Sequence, residues 1–61
     1  MNLEQLRATD PEKTTVYVDF VEPIKGQHDG RLIDVGWRYA RVMLGNREIV
    51  ACDSEEIACI R

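Results

Sequence analysis

Sixty-one residues and 7.0 kDa provide for one small domain, because a chain of this size buries only about 60% of the surface it exposes when unfolded. A large enclosed active site is thereby excluded. Hydrophobic residues at 44% and charged residues at 31% are the balance of a soluble globular domain, and no apolar run is long enough for a membrane span, a signal-peptide core or a lipid anchor. A cytoplasmic location and no membrane partner are expected. The net charge of −3 argues against a chain held on nucleic acid by overall charge alone, but the charge is unevenly spread. Residues 1–30 carry three cations against six acids, whereas Gly30–Arg47 holds Arg31, Arg38, Arg41 and Arg47 against Asp34 alone.

In chain order, Asn2 is placed to cap a short helix with Gln5 three residues on, Leu3 and Leu6 sharing its inner face. The helix must stop by Thr9, because Asp10-Pro11 follows and proline biases its predecessor away from the helical region. Residues 1–13 therefore read as a helical turn and a connector, loosely attached to the remainder. Residues 14–61 read as the main domain.

Thr14–Val21 alternates strictly, placing Val16, Val18 and Phe20 on one face of a strand and Tyr17, Asp19 and Val21 on the other. Glu22-Pro23 ends it, and Ile24–Asp29 reads as an irregular loop. Arg31–Val35 is a second, short strand. Gly36, in Asp34-Val35-Gly36-Trp37, is assigned the positive φ of a tight turn. Arg38–Leu44 resumes alternation, with Ala40, Val42 and Leu44 opposite Tyr39, Arg41 and Met43. Gly45-Asn46 reads as a two-residue hairpin turn, Glu48–Cys52 as the returning strand, Asp53–Glu56 as a polar cap with a single 3₁₀ turn, and Ala58–Arg61 as the last strand. The predicted interior is Val16, Val18, Phe20, Leu32, Ala40, Val42, Leu44, Ile49, Ala51 and Ile57, and Cys52 and Cys59 read as small hydrophobes in or near it.

Five short strands, tight central hairpins and a helical turn before the last strand predict an all-β fold. Through Gly30-Arg31-Leu32-Ile33-Asp34-Val35, Ala40-Arg41-Val42, Glu48-Ile49-Val50-Ala51 and Glu55-Glu56-Ile57, residues 14–61 resemble the five-stranded SH3-like small barrels of the KOW and Tudor-like kind. The motifs are a glycine followed by spaced aliphatics, so they specify architecture and no activity. The resemblance implies a binding module that docks protein partners or nucleic acid.

The chemistry-bearing residues are few. Two cysteines seven positions apart and one histidine write neither a zinc site nor a nucleophile–base set, and no phosphate-binding loop or dinucleotide fingerprint occurs. No cofactor, no metal and no enzymatic activity are expected. Surplus apolar residues remain on the outward strand phases, and such a patch marks a partner or self-association surface. The leading expectation is a non-enzymatic interaction and regulatory module, binding a protein partner or a second copy of itself through Tyr17, Ile33, Trp37, Tyr39, Arg41 and Met43. The alternative is a nucleic-acid-binding module using Arg31, Arg38, Arg41 and Arg47, since arginines interleaved with aromatics supply phosphate contacts and stacking. It ranks second because the chain is acidic.

Overall fold

The computed structural model describes residues 1–61. Asn2 caps the first helix, α1 (Leu3–Ala8), with both halves of the capping box formed: its Oδ1 accepts from the Gln5 N–H at 2.8 Å, and its own N–H donates to Gln5 Oε1 at 3.0 Å. Thr9 closes α1, and Asp10 follows in the left-handed region at φ 54°. The segment is firmly docked, contrary to the sequence-based expectation. Leu6 is fully buried, Leu3 packs against the core, the Met1 nitrogen reaches the Ile57 carbonyl at 2.9 Å, and the Arg7 guanidinium donates to the Gly36 carbonyl at 2.9 Å.

Five antiparallel strands follow: β1 (Tyr17–Ile24), β2 (Gln27–Val35), β3 (Ala40–Met43), β4 (Ile49–Cys52) and β5 (Ile57–Ile60), with a 3₁₀ turn at Ser54–Glu56 before the last. They form one sheet in the order β4-β3-β2-β1-β5. The sheet is open, with β4 and β5 at its edges. Its concave side holds Val16, Val18, Phe20, Leu32, Ala40, Val42, Leu44, Cys52 and Ile57, closed over by Leu6.

The first hairpin differs from the expected loop. β1 continues through Pro23 to Ile24, and β2 begins at Gln27, so Lys25 (φ 50°) and Gly26 (φ 81°) are the two central residues of a tight turn. Two positive φ values are the mark of a type I′ hairpin, whose twist matches that of the strands it joins. Proline is tolerated in β1 because the β1–β2 register shifts between Asp19 and Ile24, a bulged stretch where no ladder bond is demanded of it. β2 starts earlier than expected, at Gln27, and ends at Val35 as expected, but the turn after it is centred on Trp37 and Arg38, the Gly36 N–H donating to the Tyr39 carbonyl at 2.8 Å. Gly36 does not take a positive φ.

The third hairpin reverses a strand. Leu44 and Glu48 bracket three loop residues, with the Leu44 N–H on the Glu48 carbonyl and the Arg47 N–H on the Leu44 carbonyl. One residue more than a two-residue turn moves every β4 side chain to the opposite face. Met43 thus pairs with Ile49 and Ala40 with Cys52. Ile49 and Ala51, expected inside, are exposed, while Cys52 is buried and Val50 packs against the core.

In that loop Arg47 sits at φ 71°, where glycine is the usual occupant and an L side chain crowds its own backbone. Arg47→Gly is expected to raise stability by about 0.5–1 kcal/mol, read as a higher urea midpoint at unchanged slope; a fall would mean that the arginine side chain itself holds the loop.

Candidate functional site

The convex face carries the side chains that the core does not use. Strand pairing sets them in rows. Tyr17 on β1 lies opposite Arg31 on β2, Arg31 opposite Met43 on β3, and Met43 opposite Ile49 on β4. The neighbouring row is Asp34, Arg41 and Ala51. Between the two, β2 holds a bulge at Ile33, which pairs with nothing on β3. The bulge leaves Ile33 half-buried and turns Val35 toward the core.

Of the six residues expected to bind a partner, the structure places Tyr17 and Met43 at one groove and Trp37, Tyr39 and Arg41 at another. Ile33 lines neither. The first groove, of about 520 Å³, is lined by Tyr17, Asp29, Gly30, Arg31, Met43, Leu44, Gly45, Arg47 and Arg61. The second, of about 450 Å³, lies at the β2–β3 connection and is lined by Trp37, Arg38, Tyr39 and Arg41 with Glu12, Asp34, Val35, Gly36 and Ala51. Trp37 at its rim is 94% exposed. The segment that displays Trp37 is anchored at its base by the Arg7–Gly36 hydrogen bond, so α1 contributes to the placement of an aromatic side chain thirty residues away in the chain.

The four arginines considered for nucleic acid are divided in the same way. Arg31 and Arg47 line the first groove, and Arg38 and Arg41 the second. Arg41 is committed to Asp34, which it grips with both Nε, at 2.8 Å, and NH2. That fork of hydrogen bonds holds the Asp34 carboxyl below the usual aspartate range. A carboxylate depressed by folding stabilises the fold at pH values above its unfolded pKa, and the contribution is lost as pH falls through the lower folded value. Asp34→Asn is accordingly expected to cost stability at neutral pH and to flatten the acid limb of the stability profile below about pH 4; a limb of unchanged slope would free Asp34 of this role.

Sequence reasoning missed a third cluster. Asp19 and Asp29 stand directly opposite each other on β1 and β2, a repulsive cross-strand pair. Arg61 neutralises both, its Nε 3.1 Å from Asp19 Oδ1 and its NH2 on Asp29, and its backbone N–H donates to the Tyr17 carbonyl at 2.8 Å. The signal was beyond reach in the sequence, since the pairing depends on the β1–β2 register and on the last residue returning beside β1.

Cys59, on the exposed side of β5, donates its thiol to Asp19 Oδ2 at 3.3 Å, and that hydrogen bond pushes its pKa up. Cys52 is buried, and the loss of solvation, reinforced by Glu56 and Asp53, pushes its pKa up to about 11. Thiolate is the reactive form, so iodoacetamide is expected to modify Cys59 slowly and Cys52 only on unfolding. Rapid double labelling of the native protein, followed by mass spectrometry, would show that β4 opens at its edge. No group of three or more His, Cys, Asp or Glu side chains is arranged so that it could hold a metal ion, and His28 is exposed on β2. No helix is long and apolar enough to cross a membrane. Comparison with known proteins returned no matching family model, curated protein or solved structure.

Proposed function

We propose that this chain is a non-catalytic docking module of SH3-like architecture, engaging a protein partner or a second copy of itself through the corner formed by Trp37 and Tyr39. The architectural reading is supported by the strand order, in which β5 returns beside β1 after a 3₁₀ turn. The functional reading rests on one observation above all, the 94% exposure of Trp37. An indole left in water forgoes most of the burial energy open to the largest side chain, and tryptophan is among the residues that most often anchor protein interfaces. Tyr39, half-exposed, and Arg38 flank it in a groove, a combination enriched at interface cores. The acidic total charge favours a protein over a polyanion as the occupant.

Sedimentation velocity over a concentration series, with Trp37 emission recorded in parallel, tests this reading. Self-association that blue-shifts the emission and disappears in Trp37→Ala, with the thermal melt preserved, identifies a second copy as the partner. If the chain is monomeric throughout, a cross-linked heterologous complex formed by the parent and lost in both Trp37→Ala and Tyr39→Glu supports the same corner. Indifference of every complex to both substitutions overturns the proposal.

A further inference from the structure

Arg31 and Arg47 differ from Arg41 and Arg61, and share with Arg38 at the other groove the lack of an ion pair. Arg41 is held by Asp34 and Arg61 by Asp19 and Asp29, whereas neither Arg31 nor Arg47 forms an ion pair. Both line the groove of about 520 Å³. Its single acid, Asp29, is already engaged by Arg61, so the lining presents uncompensated positive charge on a chain that is acidic overall. Two guanidinium groups at one concavity form a recognition element for phosphate, because each offers planar paired donors and neither can lose its charge.

The backbone supplies a second observation. Arg47 occupies a left-handed position, φ 71°, that glycine would fill without strain. Backbone strain of this kind concentrates at ligand clamps, and here it places a guanidinium at the groove rather than leaving the position bare. A third is the neighbour of Arg31 in the cross-strand row. Tyr17 lies directly opposite it on β1, is 46% exposed, and lines the same groove, with Met43 on the other side of Arg31. A half-exposed aromatic ring beside two cations suits a planar ring that carries a phosphate.

We infer that this groove binds a phosphorylated ligand of mononucleotide size, its phosphate held by Arg31 and Arg47 and its ring laid against Tyr17. The site lies apart from the Trp37 corner and does not depend on the docking reading. The groove is open to solvent, so binding is weak, rapidly reversible and sensitive to salt.

The test is a titration at low ionic strength followed by ¹H–¹⁵N correlation spectra, with adenosine monophosphate, inorganic phosphate and adenosine as separate probes. Saturable shifts confined to the amides of Gly30, Arg31, Gly45 and Arg47, with adenosine monophosphate binding several-fold more tightly than either phosphate or adenosine, are expected. Arg47→Gly separates binding from folding, since it is expected to make the fold more stable while weakening adenosine monophosphate about tenfold. Arg31→Gln should do the same without stabilising, and Tyr17→Ala should reduce the nucleotide to the affinity of phosphate. Absence of saturable shifts into the millimolar range overturns the inference, as does an affinity unaltered by Arg47→Gly. Equal affinity for phosphate and nucleotide removes the ring from the site and overturns the ligand class. Binding of a single-stranded oligonucleotide far more tightly than the mononucleotide, with a steep salt dependence, reassigns the groove to nucleic acid and overturns it as well.

Discussion

Gly30→Ala is expected to destabilise the fold by about 2–4 kcal/mol, a large part of the total stability of a domain of this size. Gly30 is buried at the centre of β2, where a Cβ would stand 2.5 Å from Val42 Cγ1 and 2.8 Å from the Met43 carbonyl oxygen. Neither neighbour can move freely. Val42 is fully buried and β-branched, so its χ1 has one comfortable setting, and the Met43 carbonyl belongs to β3, paired with Arg31 in the ladder. The close approach is what lets β2 and β3 curl around the core. A double variant separates the two contacts: Val42→Ala alone should cost about 1–3 kcal/mol by loss of buried methyl groups, and joined to Gly30→Ala the sum should fall short of additive because one clash is relieved. Strict additivity in urea unfolding would place the Gly30 constraint on the Met43 carbonyl alone. Gly26 offers the contrast, with open space around its Cβ position but a φ of 81°. Gly26→Ala should cost only about 1 kcal/mol, through the backbone.

The elements legible in the sequence were those in which two signals agreed. Thr14–Val21 alternates strictly, and its inward residues Val16, just before β1, and Val18 and Phe20 within it are buried. The α1 cap is written in Asn2 and Gln5, and the 3₁₀ turn in the acid-rich Asp53–Glu56 segment. β4 presents the face opposite to the expected one. Ile49-Val50-Ala51-Cys52 is apolar on both phases, so alternation sets no register, and the face was inferred from the length of the preceding turn. A three-residue loop of this type announces itself by glycine at its third position, and here that position is Arg47. Lys25-Gly26 was missed because type I′ turns favour asparagine or glycine in the place that Lys25 occupies, and because Pro23 suggested that β1 had ended. The bulges at Ile33 and Ala58 carry no local signal at all, since each arises from the partner strand's register. The candidate residues follow the same division: Tyr39, Arg41 and Met43 share the convex face as their spacing requires, but the grouping of Arg31, Arg47 and Tyr17 around one groove depends on the pairing of three strands and a loop, and is absent from any local stretch of sequence.

Leu6→Ala is expected to be the most damaging single substitution outside the strands. A six-residue helix has no stability of its own in water, and its capping box contributes only about 1 kcal/mol, so α1 exists because Leu6 is fully buried among the core side chains. Truncation to alanine removes that anchor and opens a cavity under the sheet, at a cost of about 2–5 kcal/mol. In a domain of this length each kcal/mol corresponds to roughly 4–8 °C in melting temperature, so the melt should fall by at least about 8 °C or lose its cooperativity. The effect should extend to the Trp37 corner, because the Arg7 guanidinium that holds the Gly36 carbonyl rides on α1. Arg7→Ala isolates that second consequence: the melting temperature should stay within a few degrees while the Gly36 and Trp37 amides exchange faster with solvent. A Leu6→Ala protein that melts like the parent would mean that α1 does not belong to the core in solution and that the sheet closes its concave side without it.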